Sequence, residues 1–404
     1  PRNYEDWADL VSHFVRHCIA RYGLEEVRQW YFEVWNEPNL ENFFRGTRSQ
    51  YFELYNVSVK AIKRVDDQLR VGGPATSNFV PDNRFEGETE DISRQITLNE
   101  PDLGNLKWKG VWINEFLQYC KAEHLPIDFL STHPYPTDFA LDCNGNAQGR
   151  TRSASATKED MIWLKNAIGR NDLNPVEIHL TEWNSSPSSR DHTHDYLQAA
   201  TYIIKTNLEC VGLTDSLSYW TFSDVFEEQG SGQSIFHGGF GLINLQGIIK
   251  PSFHAYRLLN TLGDELLKHD KGIAVTRNSA DGKISALLYH YPDEMPDAVP
   301  MSVGSRDVAE TTLSLGMAAE GVLEIEHLNK NAVFLLETLD KDHGCAVKAW
   351  SDMGRPEPPS RDQTKWLRTI AHETKKEFVV ADKNGKLTVK TRLTPWSAMS
   401  IRQV

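Results

Sequence analysis

The first apolar residues of the chain recur with a helical period. From Trp7 to Tyr22 they are spaced three or four positions apart, and Gly23 follows the last of them. This spacing places them on one face of a helix, and glycine is common just beyond a helix end because it tolerates the backbone conformation needed there. The pattern predicts a helix from Trp7 to Tyr22.

Five short apolar runs further along the chain are typical of buried strands, and polar or turn-forming residues follow them. The predicted strands cover residues 31–35, 69–72, 129–133, 177–181 and 217–221. Helical patterns separate them, at residues 51–65, 112–123, 159–169 and 195–212. This alternation indicates a parallel sheet with its functional site at the carboxyl ends of the strands. A closed barrel is favoured over a doubly wound sheet, because no glycine-rich phosphate turn follows any of these runs.

The later part of the chain has a different pattern. Short alternating or β-branched runs occur at residues 283–291, 322–325, 378–381 and 387–392. They are typical of antiparallel strands and predict a small β-sandwich. The expected organisation is a barrel domain over residues 1–263 and a β-sandwich accessory domain over residues 264–404.

The number of strands in the barrel region is smaller than a closed barrel requires. A (β/α)8 barrel, or TIM barrel, has eight strands, and five predicted strands with one preceding helix fit before Gly263. The expected α/β fold is therefore a TIM barrel that lacks its first three βα units and begins in the helix before strand four. This expectation makes the sequence an N-terminally truncated piece of a longer protein.

Composition and charge exclude several classes of partner. A net charge of −13 without a run of Lys or Arg argues against nucleic acid or an anionic membrane, since phosphate would be repelled. No apolar run reaches the length of a membrane span. The five cysteines are scattered without a CxxC pair, which indicates neither a disulfide framework nor a zinc site and favours a reducing compartment such as the cytoplasm.

Two glutamates offer a specific chemistry at the predicted strand ends. Glu37 and Glu182 follow the first and fourth predicted strands, so both would lie at the same mouth of a barrel. Hydrolysis of a glycosidic bond with retention needs one protonated carboxyl and one carboxylate about 5 Å apart. When two carboxyls share a pocket, the charge of one raises the pKa of the other, and a single proton can be shared.

Several motifs resemble glycoside hydrolase family 39, the family of β-xylosidases and α-L-iduronidases. Residues 35–40 (WNEPNL) and 180–186 (LTEWNSS) are similar to its acid/base and nucleophile motifs, and further similarity lies at residues 72–75, 131–136, 219–230 and 236–245. The resemblance implies Glu37 as acid/base and Glu182 as nucleophile. It also implies a β-sandwich after the barrel and no cofactor. A cluster of His and Asp at residues 191, 192, 194 and 195 has a spacing that fits no zinc pattern, so no metal is expected.

The same resemblance implies a set of sugar-binding residues. Asn36 would bind the sugar 2-hydroxyl, and the indole of Trp220 would stack under the sugar ring. Further sugar contacts would come from His133, Tyr135 and the acidic pair Glu227 and Glu228. Core packing for His133 and Trp220, and a solvated loop for the acidic pair, are the alternatives. Ser188 stands where the family often has a tyrosine, which puts one sugar contact in doubt.

The expected function is that of a retaining β-xylosidase. It would release xylose from the non-reducing ends of xylo-oligosaccharides by double displacement, because a uronate would be repelled by Glu227, Glu228 and Asp224. Two alternatives stay open: an α-L-iduronidase-like glycosidase, and a non-catalytic sugar-binding fragment. The partner is a small carbohydrate, and the sequence leaves the oligomeric state undetermined.

Overall fold

A computed structural model describes most of the chain as two compact units. The described residues are 1–138, 150–173, 176–226, 228–295, 297–298, 303 and 305–404. Contacts group Pro1–Arg152, Ala156–Trp183 and Cys210–Tyr219 into the first unit. Ser153–Ser155, Asn184–Glu209 and Trp220–Val404 form the second unit.

The first unit is an α/β fold built on a curled sheet of five parallel strands. The sheet order is β1–β2–β5–β8–β9, and each strand pairs with its neighbours in parallel. Two short antiparallel ladders, β3–β4 and β6–β7, accompany it. The strands are β1 (Tyr31–Glu33), β2 (Arg70–Ser77), β3 (Phe79–Val80), β4 (Lys109–Gly110), β5 (Phe129–His133), β6 (Thr137–Asp138), β7 (Arg150–Thr151), β8 (Glu177–Trp183) and β9 (Ser216–Tyr219).

Two helices precede the first parallel strand of this unit, and three others follow along the chain between its strands. They are α1 (Tyr4–Tyr22), α2 (Leu24–Val27), α3 (Arg48–Lys63), α4 (Ile113–Ala122) and α5 (Ala156–Arg170). The helix predicted to end before Gly23 is confirmed, and Asn3 caps its start by accepting the Glu5 N–H. At the start of α3, Thr47 and Gln50 form a capping box, in which each side chain binds the other residue's backbone N–H.

All five predicted strands exist, but the predicted end of the second strand at Gly72 is wrong. β2 continues through Pro74 to Ser77. Proline cannot donate a hydrogen bond to a sheet, so it is tolerated inside a strand where the pairing is irregular. The register of β2 against β5 shifts between Pro74 and Thr76, which is where such a residue fits. A second shift interrupts the pairing of β8 with β9, between Leu180 and Trp183.

In its described residues, the second unit contains two antiparallel sheets and five α-helices. A six-stranded sheet has the order β10–β11–β12–β17–β14–β15, and β13 pairs separately with β16. Inward residues of both sheets, including Phe334 and Ile401 from the larger and Val389 from the smaller, belong to one buried apolar cluster. The strands are β10 (Glu265–Asp270), β11 (Ile273–Arg277), β12 (Ile284–Tyr289), β13 (Ala319–Ile325), β14 (Val333–Leu339), β15 (Lys375–Val380), β16 (Leu387–Leu393) and β17 (Ala398–Gln403).

The helices of the second unit add a core of their own. They are α6 (Leu197–Glu209), α7 (Pro251–Leu259), α8 (Arg306–Leu313), α9 (Ala346–Asp352) and α10 (Arg361–His372). A second apolar cluster includes Phe236, Trp350 and Leu367. Four predicted strands are found as β12, β13, β15 and β16. The sequence pattern did not indicate the other four strands, nor the helices α7 to α10.

The sequence raised two further questions, the state of the cysteines and the presence of a membrane-spanning segment. Cys18, Cys120, Cys210 and Cys345 are buried thiols, and Cys143 lies outside the described residues. Among the residues that the structure describes, no helix combines the length and the apolar character needed to cross a bilayer.

Candidate active site

Glu37 lies in a tightly held segment just beyond β1. Its side chain is buried, and the residue is 5% exposed. The backbone turns through two left-handed conformations, at Trp35 (φ 71°) and Glu37 (φ 45°), which non-glycine residues adopt only when their surroundings enforce them. The Glu37 N–H donates to the Ala75 carbonyl at 3.0 Å, and Ala75 (φ 51°) is the residue skipped by the register shift in β2. The irregular end of β2 therefore supports the backbone of Glu37.

Asn39 and Tyr51 add side-chain bonds to this segment. The Asn39 amide donates to the Ser77 carbonyl at 3.0 Å, and its oxygen accepts the Ser77 N–H at 2.9 Å. The buried Tyr51 hydroxyl lies 3.0 Å from the Val34 carbonyl and 3.1 Å from the Pro74 carbonyl, so it links the end of β1 to β2. The sequence analysis singled out neither residue.

His133 lies between the two glutamates. Its Nδ1 is 3.0 Å from Oε1 of Glu37 and 3.8 Å from Oε2 of Glu182, and the histidine is 1% exposed. One ring nitrogen of His133 and one carboxylate oxygen of each glutamate all lie within 4.8 Å of one another. Glu37 and Glu182 are thus brought to one place, although they are far apart in the sequence. These three atoms are also close enough together to bind a divalent cation, which the chemistry of two carboxylates does not require.

Hydroxyl groups complete the surroundings of Glu182 and His133. The hydroxyl of Tyr135, two residues beyond β5, donates to Oε1 of Glu182. Nε2 of His133 lies 3.1 Å from Oγ1 of Thr181, and that hydroxyl donates to Oε1 of Glu33 at 2.7 Å. Of the expected residues, His133 therefore lies beside both glutamates and Tyr135 beside Glu182. Thr181 and Glu33, which were not expected, extend this group.

The irregular pairing of β8 explains how two consecutive residues reach the same histidine. Side chains of a regular strand alternate between its two faces, so Thr181 and Glu182 would point in opposite directions. The register shift between Leu180 and Trp183 spans both residues. Such a bulge re-aims a side chain, and bulges are frequent beside active sites.

Burial and charge have opposite effects on His133. Burial lowers its pKa, but the hydrogen bond to Glu37 and the negative charges of Glu182, Glu37 and Glu33 outweigh burial, so the pKa is raised above its ordinary value. The pair formed by the His133 imidazole and the Glu37 carboxyl therefore binds a proton more firmly than a solvated imidazole does. A proton held beside a carboxylate is what acid-assisted bond cleavage requires.

The other expected site residues are placed in several parts of the structure. Asn36 lies in the first unit, next to Glu37, and is exposed. Trp220 belongs to the second unit, where its ring lies edge-on to Phe226 with centroids 4.8 Å apart. Glu228 is exposed in the same unit, and Glu227 lies outside the described residues.

Asp224 lies in a buried ion network of the second unit. Lys250 Nζ is 2.9 Å from Oδ2 of Asp224 and 2.9 Å from Oδ1 of Asp195, and all three residues are fully buried or nearly so. Lys250 also donates to the Gly239 carbonyl at 2.8 Å. Lys250 therefore offsets part of the charge of Asp224 and Asp195, which weakens the repulsion of a uronate expected from Asp224.

Comparisons with known proteins agree on one family. The sequence model described as Glycosyl hydrolases family 39 matches residues 1–87 and 104–388. A β-xylosidase of Caldicellulosiruptor saccharolyticus is 34% identical over 99% of this chain and 73% of its own length. A β-xylosidase of Geobacillus stearothermophilus is 36% identical over 91% of this chain, and the chain spans 64% of that protein. The human α-L-iduronidase is 37% identical over 78 residues, which are 19% of this chain.

Among solved structures, a monomeric β-xylosidase from Caulobacter crescentus CB15 has a TM-score of 0.78 and 30% identity. The match covers 99% of this chain and 74% of that one. The GH39 enzyme from Xanthomonas axonopodis pv. citri has a TM-score of 0.79 and 28% identity, over 99% of this chain and 73% of that one. These similarities extend over almost the whole chain, through both units.

Proposed function

Since the chain belongs to glycosyl hydrolase family 39, we propose that it is a retaining β-xylosidase that acts on xylo-oligosaccharides from their non-reducing ends. The observation that carries the proposal is the close approach of Glu37 and Glu182 around His133. Retaining glycosidases hold their two carboxyls about 5–5.5 Å apart, whereas inverting ones need about 6.5–9.5 Å. Oxygen atoms within 4.8 Å of each other support retention.

The proposed reaction has two steps. In the first, the Glu182 carboxylate attacks the anomeric carbon while Glu37 gives its proton to the departing oxygen, which leaves xylose as an ester of Glu182. In the second, Glu37 takes a proton from water, the water oxygen attacks the same carbon, and the ester bond to Glu182 breaks. Xylose is released, and both carboxyls return to their starting states.

The partners of the two glutamates support this division of roles. Glu37 lies against the His133 imidazole, which can share a proton with it, as an acid requires. Glu182 accepts the Tyr135 hydroxyl, and a hydrogen bond to the charged form favours a carboxylate, as a nucleophile requires.

Xylose is preferred to a uronic acid as the proposed sugar. The β-xylosidases of Caldicellulosiruptor saccharolyticus and Geobacillus stearothermophilus are 34% and 36% identical over most of the chain, whereas the human α-L-iduronidase aligns with 78 residues of it. A uronate carboxylate would add a further negative charge beside Glu37, Glu182 and Glu33. Like charges in one site repel, so a neutral glycone suits these surroundings better.

The proposal extends to fold and further contacts. The five parallel strands, paired in chain order, are proposed to be strands four to eight of a (β/α)8 barrel over residues 1–263, with a β-sandwich over residues 264–404. The proposed sugar contacts besides the two glutamates are those that the family motifs suggest. They are Asn36, His133, Tyr135, Trp220, Glu227 and Glu228.

Trapping with an activated 2-fluoro xyloside tests the proposal. The expected result is one adduct, mapped by peptide mass to Glu182 and absent from Glu182→Gln. Glu177→Gln is the matched control, because Glu177 begins the same strand and binds Tyr31 and His179 instead. It should leave trapping intact. An adduct on any residue other than Glu182 would refute the assignment of the nucleophile.

Substrate comparison separates the proposal from its two alternatives. Turnover of an aryl β-xyloside should exceed that of an aryl α-L-iduronide under the same conditions. Faster iduronide cleavage would mean an iduronidase-like enzyme. Sugar binding without turnover or adduct would indicate a non-catalytic fragment.

A further inference from the structure

Three hydrogen bonds connect Glu37 to a second carboxylate deeper in the sheet. They run from Glu37 to His133 (3.0 Å), from His133 to Thr181 (3.1 Å) and from Thr181 to Glu33 (2.7 Å). We propose that Glu33 and Thr181 are positioning residues, which fix the nitrogen of His133 that carries the proton and thereby hold the acid proton on Glu37. This inference rests on the proposed glycosidase function.

The direction of these bonds follows from the number of protons available. A threonine hydroxyl has one proton, and the ionised carboxylate of Glu33 offers only acceptors, so Thr181 donates to Glu33. Oγ1 can then only accept from His133, and Nε2 must carry a hydrogen. Glu37 and Nδ1 then share a single proton, and when this proton is on Glu37 the imidazole is neutral and Nδ1 is an acceptor. Nδ1 therefore presents a lone pair to Glu37.

This tautomer determines which form of Glu37 is stable. A protonated Glu37 donates to Nδ1 across 3.0 Å and satisfies both groups. An ionised Glu37 would bring a carboxylate oxygen against a lone pair at the same distance, in a buried site where such repulsion is weakly screened. The acid proton is thus retained until the leaving oxygen takes it. After that step the same repulsion makes Glu37 a better base towards water.

The placement of Glu33 gives this chain of bonds a separate structural basis. Glu33 is the last residue of β1 and lies only partly exposed in the sheet. A carboxylate taken out of water costs free energy unless hydrogen bonds replace its hydration. Thr181 supplies such a bond because the bulge in β8 brings its hydroxyl to the side on which Glu182 also contacts His133.

The test replaces Thr181 with valine, which has nearly the same shape and no hydroxyl. His133 can then carry its hydrogen on Nδ1 and donate it to an ionised Glu37, so the acid proton is lost at lower pH. We expect the basic limb of the kcat/KM profile to move down by about one pH unit or more. The rate on an alkyl xyloside, whose leaving oxygen needs protonation, should fall by about 10²-fold, which lies within the range for general acid catalysis.

Leaving-group dependence separates this effect from general damage. A dinitrophenyl xyloside needs little acid assistance in the glycosylation step. The factor by which Thr181→Val slows this step should therefore be about tenfold smaller for the dinitrophenyl xyloside than for the alkyl xyloside. Single-turnover kinetics would measure the step. Thr181→Ser restores a hydroxyl and should return the basic limb toward that of the parent protein. Glu33→Leu removes the acceptor of the Thr181 hydroxyl, so it should move the limb in the same direction as Thr181→Val.

A matched threonine serves as the control. Thr132 precedes His133 on β5, and its hydroxyl donates to the Thr76 carbonyl at 2.9 Å. Thr132→Val removes a buried hydroxyl in the same way, so it should lower stability and leave the basic limb unmoved. If Thr181→Val also leaves the limb unmoved, or slows both substrates equally, the positioning role is refuted. An adduct at Glu182 in that variant would show that the proposed function stands, whereas no adduct in the parent protein would refute the function itself.

Discussion

Removal of the Tyr135 hydroxyl is expected to weaken catalysis by a calculable amount. Tyr135 is buried, and its hydroxyl donates to Oε1 of Glu182, so Tyr135→Phe removes this hydrogen bond to a charged group. Such bonds contribute about 1.5–3 kcal/mol. Because each 1.4 kcal/mol corresponds to a factor of ten, kcat/KM should fall roughly 10- to 150-fold.

The same change should alter the pH dependence. The hydroxyl stabilises the ionised form of the nucleophile, so its loss favours the neutral form. The acidic limb of the kcat/KM profile should therefore move up by about one to two pH units, since one unit corresponds to about 1.36 kcal/mol. Initial rates on an aryl xyloside from pH 4 to pH 9 would measure both effects.

A tyrosine outside the site supplies the control for this experiment. The Tyr119 hydroxyl accepts from the Asn56 amide at 3.1 Å and donates to Glu53, so Tyr119→Phe removes a comparable group from a different part of the same unit. Its pH profile should match that of the parent protein. A rate that rises in Tyr135→Phe would refute the reasoning, because the bond would then restrain the nucleophile more than it orients it.

Two further predictions concern stability of the second unit. Lys250→Met would leave Asp195 and Asp224 buried without their cation, and we expect a loss of about 3–5 kcal/mol in denaturant unfolding, which added Asp→Asn changes at both positions should partly reverse. Burial raises the pKa of Glu337, but hydrogen bonds, the first from Arg257, outweigh it and bring the pKa to about 2. This depressed pKa gives stability that is present above the usual carboxyl range and lost as pH falls towards 2. Glu337→Gln should flatten that acid dependence of the melting temperature, and an unchanged curve would contradict the assignment.

The central strands of the first unit were the easiest to predict, because β2 and β5 are buried on both faces. Short, mostly apolar runs followed by polar residues identified all five parallel strands, and β5 was predicted with the bounds it has. The end of β2 was mispredicted because proline normally ends a strand, whereas a register shift accommodates Pro74 within it. Local sequence carries little information about such a shift, since it depends on the partner strand.

The second unit was harder to predict. β10 is exposed along its whole length, so it lacks the alternation of apolar and polar residues that identifies a half-buried strand. The last helix of the second unit, α10, has an N-terminal capping box formed by Ser360 and Gln363. This sequence signal was not used for the prediction. Prediction from apolar pattern thus fails where an element is stabilised by its ends or by its edge pairing.

Within the candidate site, sequence reasoning and structure overlap in four residues. Glu37, Glu182, His133 and Tyr135 were singled out from motifs, and the structure brings their side chains together. A strict two-residue strand period would turn Thr181 away from Glu182, so it was overlooked. Glu33 could have been recognised from the sequence, because a charged residue within an aromatic and apolar strand is unusual unless it has a partner.

The bulge in β8 also limits how this chemistry can be transferred to another scaffold. On a regular strand, one of the two consecutive side chains that contact His133 would face away from it. A designer who grafts only the amino acids onto an ideal sheet would therefore lose either the nucleophile or the hydroxyl beside it. The irregular backbone must be transplanted together with the side chains, and a one-residue deletion there should be less well tolerated than most substitutions.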